Sequence, residues 1–93
     1  VVVDKPYIEQ RKLKYIKREF SADVDSDELV WHRDRKDRTV LVKQSDDWYI
    51  QMDNKMPEKL TENSEFYIPK NFYHRLIIGS NAQKNLIIYI MES

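Results

Sequence analysis

The sequence predicts an all-β domain, a small sandwich or barrel, and three observations carry that reading. Short apolar and β-branched runs recur between polar turns, as in Thr39-Val-Leu-Val-Lys43 and Leu86-Ile-Ile-Tyr-Ile-Met91. Trp48, Ile50 and Met52 alternate with Tyr49 and Gln51, the period of a half-buried strand. Helix signals are weak: only Tyr7 to Lys17 has helical propensity, and its apolar spacing fits a strand equally well.

In chain order, Leu13, Tyr15 and Ile16 to Phe20 suggest a first strand with Lys and Arg on its wet face. Ser21 to Asp27 is acidic and has no apolar period, so it is a loop. Glu28 to His32 reads as a strand, Arg33 to Asp37 as a charged turn, and Thr39 to Lys43 as a β-branched strand. Ser45-Asp46-Asp47 is a turn of the hairpin type before the Trp48 strand, and Asp53-Asn54-Lys55 is the next turn. Pro57 to Asn63 is a connection. Glu65 to Ile68 is a short strand stopped by Pro69. Tyr73 to Ile78 and Leu86 to Met91 are the last strands, joined by Gly79 to Lys84 as a hairpin loop. The expected core is Trp31, Trp48, Phe66, Ile68, Leu76 and Ile88. The 93 residues form one domain, with 1–27 as an N-terminal strand or arm plus acidic loop and 28–93 as the barrel core.

Composition narrows the chemistry. There is no Cys, which excludes disulfides, thiolate metal sites and cysteine nucleophiles. The one Gly excludes phosphate-cradling glycine loops. No Ser stands in a nucleophile elbow. Net charge is zero, from 16 basic and 16 acidic residues, so a bulk polyanion is not an expected partner, and nucleic acid is not expected either. Lys12, Lys14, Lys17 and Arg18 read instead as a solvated face or a guarded edge. Asp23-x-Asp25-x-Asp27 has the start of a calcium loop but Glu28 where that loop needs Gly, so it reads as solvated. No apolar run is long enough to cross a membrane and no secretory leader is visible, so the expectation is a cytoplasmic protein.

Only two His are present, His32 and His74, so any histidine chemistry uses one or both. His32 and Asp34 stand two apart and would share one face of an extended strand. Asn63-Ser-Glu-Phe-Tyr-Ile-Pro69-Lys-Asn71-Phe-Tyr-His74 resembles the second motif of the cupin superfamily, Gly, five residues, then Pro-x-Gly-x-x-His. Pro69 and His74 match in identity and spacing, and Asn63 and Asn71 stand at the two Gly positions. Asn is the non-Gly residue best suited to positive φ, so the turns are retained. The first cupin motif, His-x-His followed by Glu, corresponds to His32-Arg33-Asp34 with Arg38 or Thr39 at the Glu position.

The resemblance covers about residues 28–91 and implies a jelly-roll barrel, the double-stranded β-helix, with a metal site at its mouth. The implied ligands are His32, Asp34 and His74, with Asp37 as a rival carboxylate. Such a His-x-Asp…His set suits one divalent transition metal, Fe, Mn, Ni or Zn. Arg38 places a cation beside that site, which disfavours an ion and suits a small anionic ligand instead. Tyr67 and Tyr73 are candidates to line the ligand pocket. The degraded first motif favours a metal-free binding or assembly module, and the alternative is a metal-dependent cupin enzyme. The last strand is apolar on both faces, so its outer face must be covered by the N-terminal segment or by a second subunit, and a homodimer is expected.

Overall fold

The computed structural model describes residues 5–93. Its strands are β1 (Ile8–Arg11), β2 (Ile16–Phe20), β3 (Arg38–Gln44), β4 (Trp48–Met52), β5 (Glu58–Lys59), β6 (Glu65–Ile68), β7 (His74–Ile78) and β8 (Leu86–Glu92). They form two antiparallel sheets, a five-stranded one in the order β1-β2-β8-β3-β6 and a three-stranded one in the order β5-β4-β7. The expected all-β jelly-roll architecture is present. Among the described residues no helix is long and apolar enough to cross a membrane.

The core follows from strand alternation. Leu86, Ile88 and Ile90 of β8 and Val40 and Val42 of β3 point inward, while Ile87, Tyr89, Leu41 and Thr39 between them face outward. Register aligns the inward set: Val40 pairs with Ile90, Ile16 with Ile90 and Phe20 with Leu86. From the opposite sheet Trp48 and Ile50 close the interior. Trp48 is fully buried, and its indole N–H donates to the Lys84 carbonyl at 2.9 Å, which satisfies its one polar atom. Ile16 and Phe20 belong to this core, so β2 is an integral strand of the barrel.

Several sequence expectations are corrected. Leu13 and Tyr15, expected in the first strand, lie between two strands: β1 turns back at Lys12, whose N–H donates to the Tyr15 carbonyl at 2.9 Å, and pairs along β2. Glu28 to His32 is not a strand. Asp25 caps a single 3-10 turn at Ser26–Glu28 by accepting the Asp27 N–H, and local turn chemistry outcompetes the apolar triplet that follows. Val30 and Trp31 then both face solvent, and Trp31, expected in the core, is 41% exposed with Arg75 stacked on its ring. Finally, Ser45–Asp47 and Gly79–Lys84 are not hairpin turns. Each carries the chain from one sheet to the other, because β3 and β8 lie in the large sheet and β4 and β7 in the small one. The two arches are tied side by side. The Asp46 carboxylate accepts the N–H groups of Gln83 and Lys84, and that of Asp47 accepts the N–H of Asn81.

Candidate metal centre

The site is built where two irregular segments meet. His32 and His74 exchange both backbone hydrogen bonds, at 3.0 and 2.9 Å, as a single antiparallel bridge. Residues paired in this way project their side chains from one face, so the imidazoles lie together with ring centroids 4.4 Å apart. Asp34, two residues beyond His32, is held by its backbone: its carbonyl accepts the N–H of Asn71 at 2.6 Å. Asn71 has φ 62° and Asn63 φ 68°, so both positions adopt the left-handed conformation expected of them. The turn at Asn71 delivers His74 as the first residue of β7, buried at 4% exposure.

One ligand atom from each of His32, Asp34 and His74 lies within 4.8 Å of the others. The three candidate residues are therefore brought together. Each imidazole is oriented by a carbonyl two residues before it: His32 Nδ1 donates to Val30 O at 3.0 Å and His74 Nδ1 to Phe72 O at 2.8 Å. A neutral ring that donates from Nδ1 keeps its lone pair on Nε2. His74 Nε2 faces Asp34 Oδ2 at 3.3 Å, and that buried oxygen has no donor. A lone pair and a carboxylate oxygen held this close call for an electropositive centre between them, a proton on His74 or a metal ion. The donor set and the orphaned oxygen fit a divalent transition metal.

Arg38 lies beside the ligands but not among them. Its Nη1 contacts the other Asp34 oxygen, Oδ1, at 3.2 Å, while Nε and Nη2 both reach Glu92 Oε2, at 3.0 and 2.8 Å. Burial pushes the Asp34 carboxyl up, but contact with His74 and the charge of Arg38 outweigh it and hold the group below the usual carboxylate range. Asp37, the rival carboxylate, is used structurally. It accepts the Lys70 N–H at 2.8 Å, and its own carbonyl accepts the Ser93 N–H.

Behind the ligands lies a cavity of about 270 Å³, walled by Val40, Ile50, Phe66, Ile68, Leu76, Ile88 and Ile90. Arg38, a candidate ligand-binding residue from the sequence, lines it. Tyr67 and Tyr73 do not. Tyr67 lies between inward-facing Phe66 and Ile68 and so faces out, and Tyr73 directly precedes inward-facing His74, with Arg33 over its ring. Strand alternation alone predicts both positions. Sequence reading also missed Glu92, which pairs with Arg38 across β3 and β8, and the carbonyls of Val30 and Phe72. Of these only the carbonyls have a local signal, their common place two residues before a His.

No family model matches the sequence, and no curated protein is similar to it. Solved structures are similar in fold. A cupin domain from Bordetella pertussis superposes with a TM-score of 0.62 at 14% identity, over 99% of both chains. A protein from Neisseria meningitidis superposes with a TM-score of 0.60 at 11% identity, over 99% of this chain and 87% of the other. The chain has the cupin fold, and the motif resemblance in the sequence and the arrangement of the strands agree on it.

Proposed function

We propose that this barrel is a metal-binding cupin that holds one divalent transition metal on His32, Asp34 and His74 and presents it to a small ligand in the adjoining cavity. The observation that carries the reading is the orphaned Asp34 Oδ2 facing His74 Nε2 at 3.3 Å, with His32 within 4.8 Å of both residues and the Nδ1 atoms of both imidazoles already committed to carbonyls. Metal-ligating His residues are oriented by such outer hydrogen bonds. Two imidazoles and one carboxylate on one side of an ion leave positions open for a ligand and for water or oxygen, and the bound ion would act there as a Lewis acid. This departs from the metal-free module the degraded first motif suggested, because Arg38 is drawn onto Oδ1 and Glu92 and leaves Oδ2 to His74.

The test is metal content by mass spectrometry after reconstitution with Fe(II), Mn(II), Ni(II) or Zn(II). We expect near-stoichiometric loading of wild type by at least one ion, and loss of that ion in His74→Ala and Asp34→Asn with unchanged far-UV circular dichroism. Absence of stoichiometric metal in wild type, or equal loading of the variants, would overturn the reading.

We propose a homodimer as well, on the outer face of the large sheet. Tyr15 stacks on Tyr89 at 4.3 Å and covers part of that face from within the chain, beside half-buried Leu41, Ile87 and Met91. Light scattering at high micromolar concentration should give twice the chain mass, and a monomer mass would refute it.

A further inference from the structure

The cavity has two kinds of wall. His32, Asp34 and His74 stand on one part of it, and hydrocarbon side chains from six strands make most of the rest. An apolar cavity of about 150 Å³ holds benzene and otherwise stays dry. The volume here, about 270 Å³, gives room for a ring with a short substituent or for an alkyl chain of similar bulk.

The cations around it are engaged. Arg38 meets two carboxylates, with Nη1 on Asp34 Oδ1 at 3.2 Å and Nη2 on Glu92 Oε2 at 2.8 Å. An anionic ligand would have to displace one of them. Arg18 donates from Nε to Glu9 Oε1 at 2.8 Å and stacks on Tyr7. The exposed residues Lys5 and Glu28 also line the opening, and they are of opposite sign.

We infer that the site takes a small molecule with an apolar body, a single ring or a short alkyl chain, and one metal-ligating head. This replaces the small anionic ligand that the sequence suggested for Arg38. It rests on the metal reading above: the head sits on the ion and the body fills the space between Val40, Ile50, Phe66 and Leu76.

The experiment titrates Zn(II)-loaded protein with linear alkyl hydroxamates, from acetohydroxamate to hexanohydroxamate, by calorimetry. Affinity should rise about fourfold per methylene, the conversion of about 0.8 kcal/mol per buried CH₂. A hydroxamate of equal length ending in a carboxylate should bind at least tenfold more weakly than its alkyl counterpart. In parallel, toluene should raise the melting temperature of the metal-free protein, because a ligand bound to the folded state stabilises it. Leu76→Trp and Phe66→Trp, each filling the cavity from a half-buried position, should abolish both effects and retain zinc. A flat hydroxamate series, or equal affinity for the charged tail, overturns the inference. Failure to load any of the four ions with the toluene shift intact overturns the metal reading and with it the metal-ligating head, leaving the apolar body, and failure of both overturns the apolar body as well.

Discussion

Three asparagines, Asn54, Asn63 and Asn71, carry the positive φ angles of this chain's described residues, and the single glycine carries none. At Asn71 the left-handed turn has a direct use, since it sets the N–H that holds the Asp34 carbonyl and starts the strand that presents His74. Asn71→Gly should leave stability within a few tenths of a kcal/mol, whereas Asn71→Val should cost about 1–2 kcal/mol, the penalty for a β-branched residue in this region. Urea unfolding of the two variants measures the difference. Residues of this kind were legible in the sequence because their requirement is local: a φ angle at Asn63 and Asn71, a strand stop at Pro69, a shared face for His32 and Asp34. The second partner of Arg38, beside Asp34, was not legible. Glu92 meets it only because β3 and β8 pair in one register, and nothing near Arg38 encodes that register.

At the scale of elements, the sequence located the arches and misjudged where they lead. Polar residues at Ser45–Asp47 and Gly79–Lys84 mark a change of direction, but a tight turn within one sheet and a step between two sheets have the same composition. The distinction lies in side chains distant in sequence. Asp46 and Asp47 serve as acceptors for the opposite arch, and a Cβ at Gly79 would collide with the Asp47 carboxylate, so Gly79 is needed for close approach rather than for a left-handed angle. The carboxyls of these residues and of Asp37 are all held below their ordinary range. For Asp46 the main cause is the Gln83 N–H, for Asp47 the Tyr49 hydroxyl and for Asp37 the Lys70 N–H. A group with a lowered folded pKa binds its proton more readily when unfolded. Its stabilising contribution is complete above about pH 4 and is lost as pH falls through the lowered values. Urea midpoints should therefore decline below about pH 4, and Asp46→Asn should make that decline shallower while lowering the midpoint at pH 7.

At the scale of the molecule, core and cavity share residues. Val42, Trp48 and Leu86 are fully enclosed and stand away from the cavity, Val40 is enclosed and also walls it, and Phe66 and Leu76 beside it are only partly buried. The fold class was readable because alternation in Thr39–Lys43, Trp48–Met52 and Leu86–Met91 is a strong, repeated signal. The cavity was not, since an apolar residue that lines a void and one that fills a core look the same in a sequence. The backbone bridge between His32 and His74 has a further consequence. The two imidazoles are brought together by the polypeptide itself, so assembly of the site does not wait for an ion. Small metal domains whose ligands meet only around the metal unfold when it is withdrawn. Here withdrawal by a chelator should leave the near-UV circular dichroism and the cooperative thermal transition in place. On the proposed reading, metal uptake would be a reversible exchange on a finished scaffold, with occupancy following the concentration of free ion around the protein rather than the history of its folding.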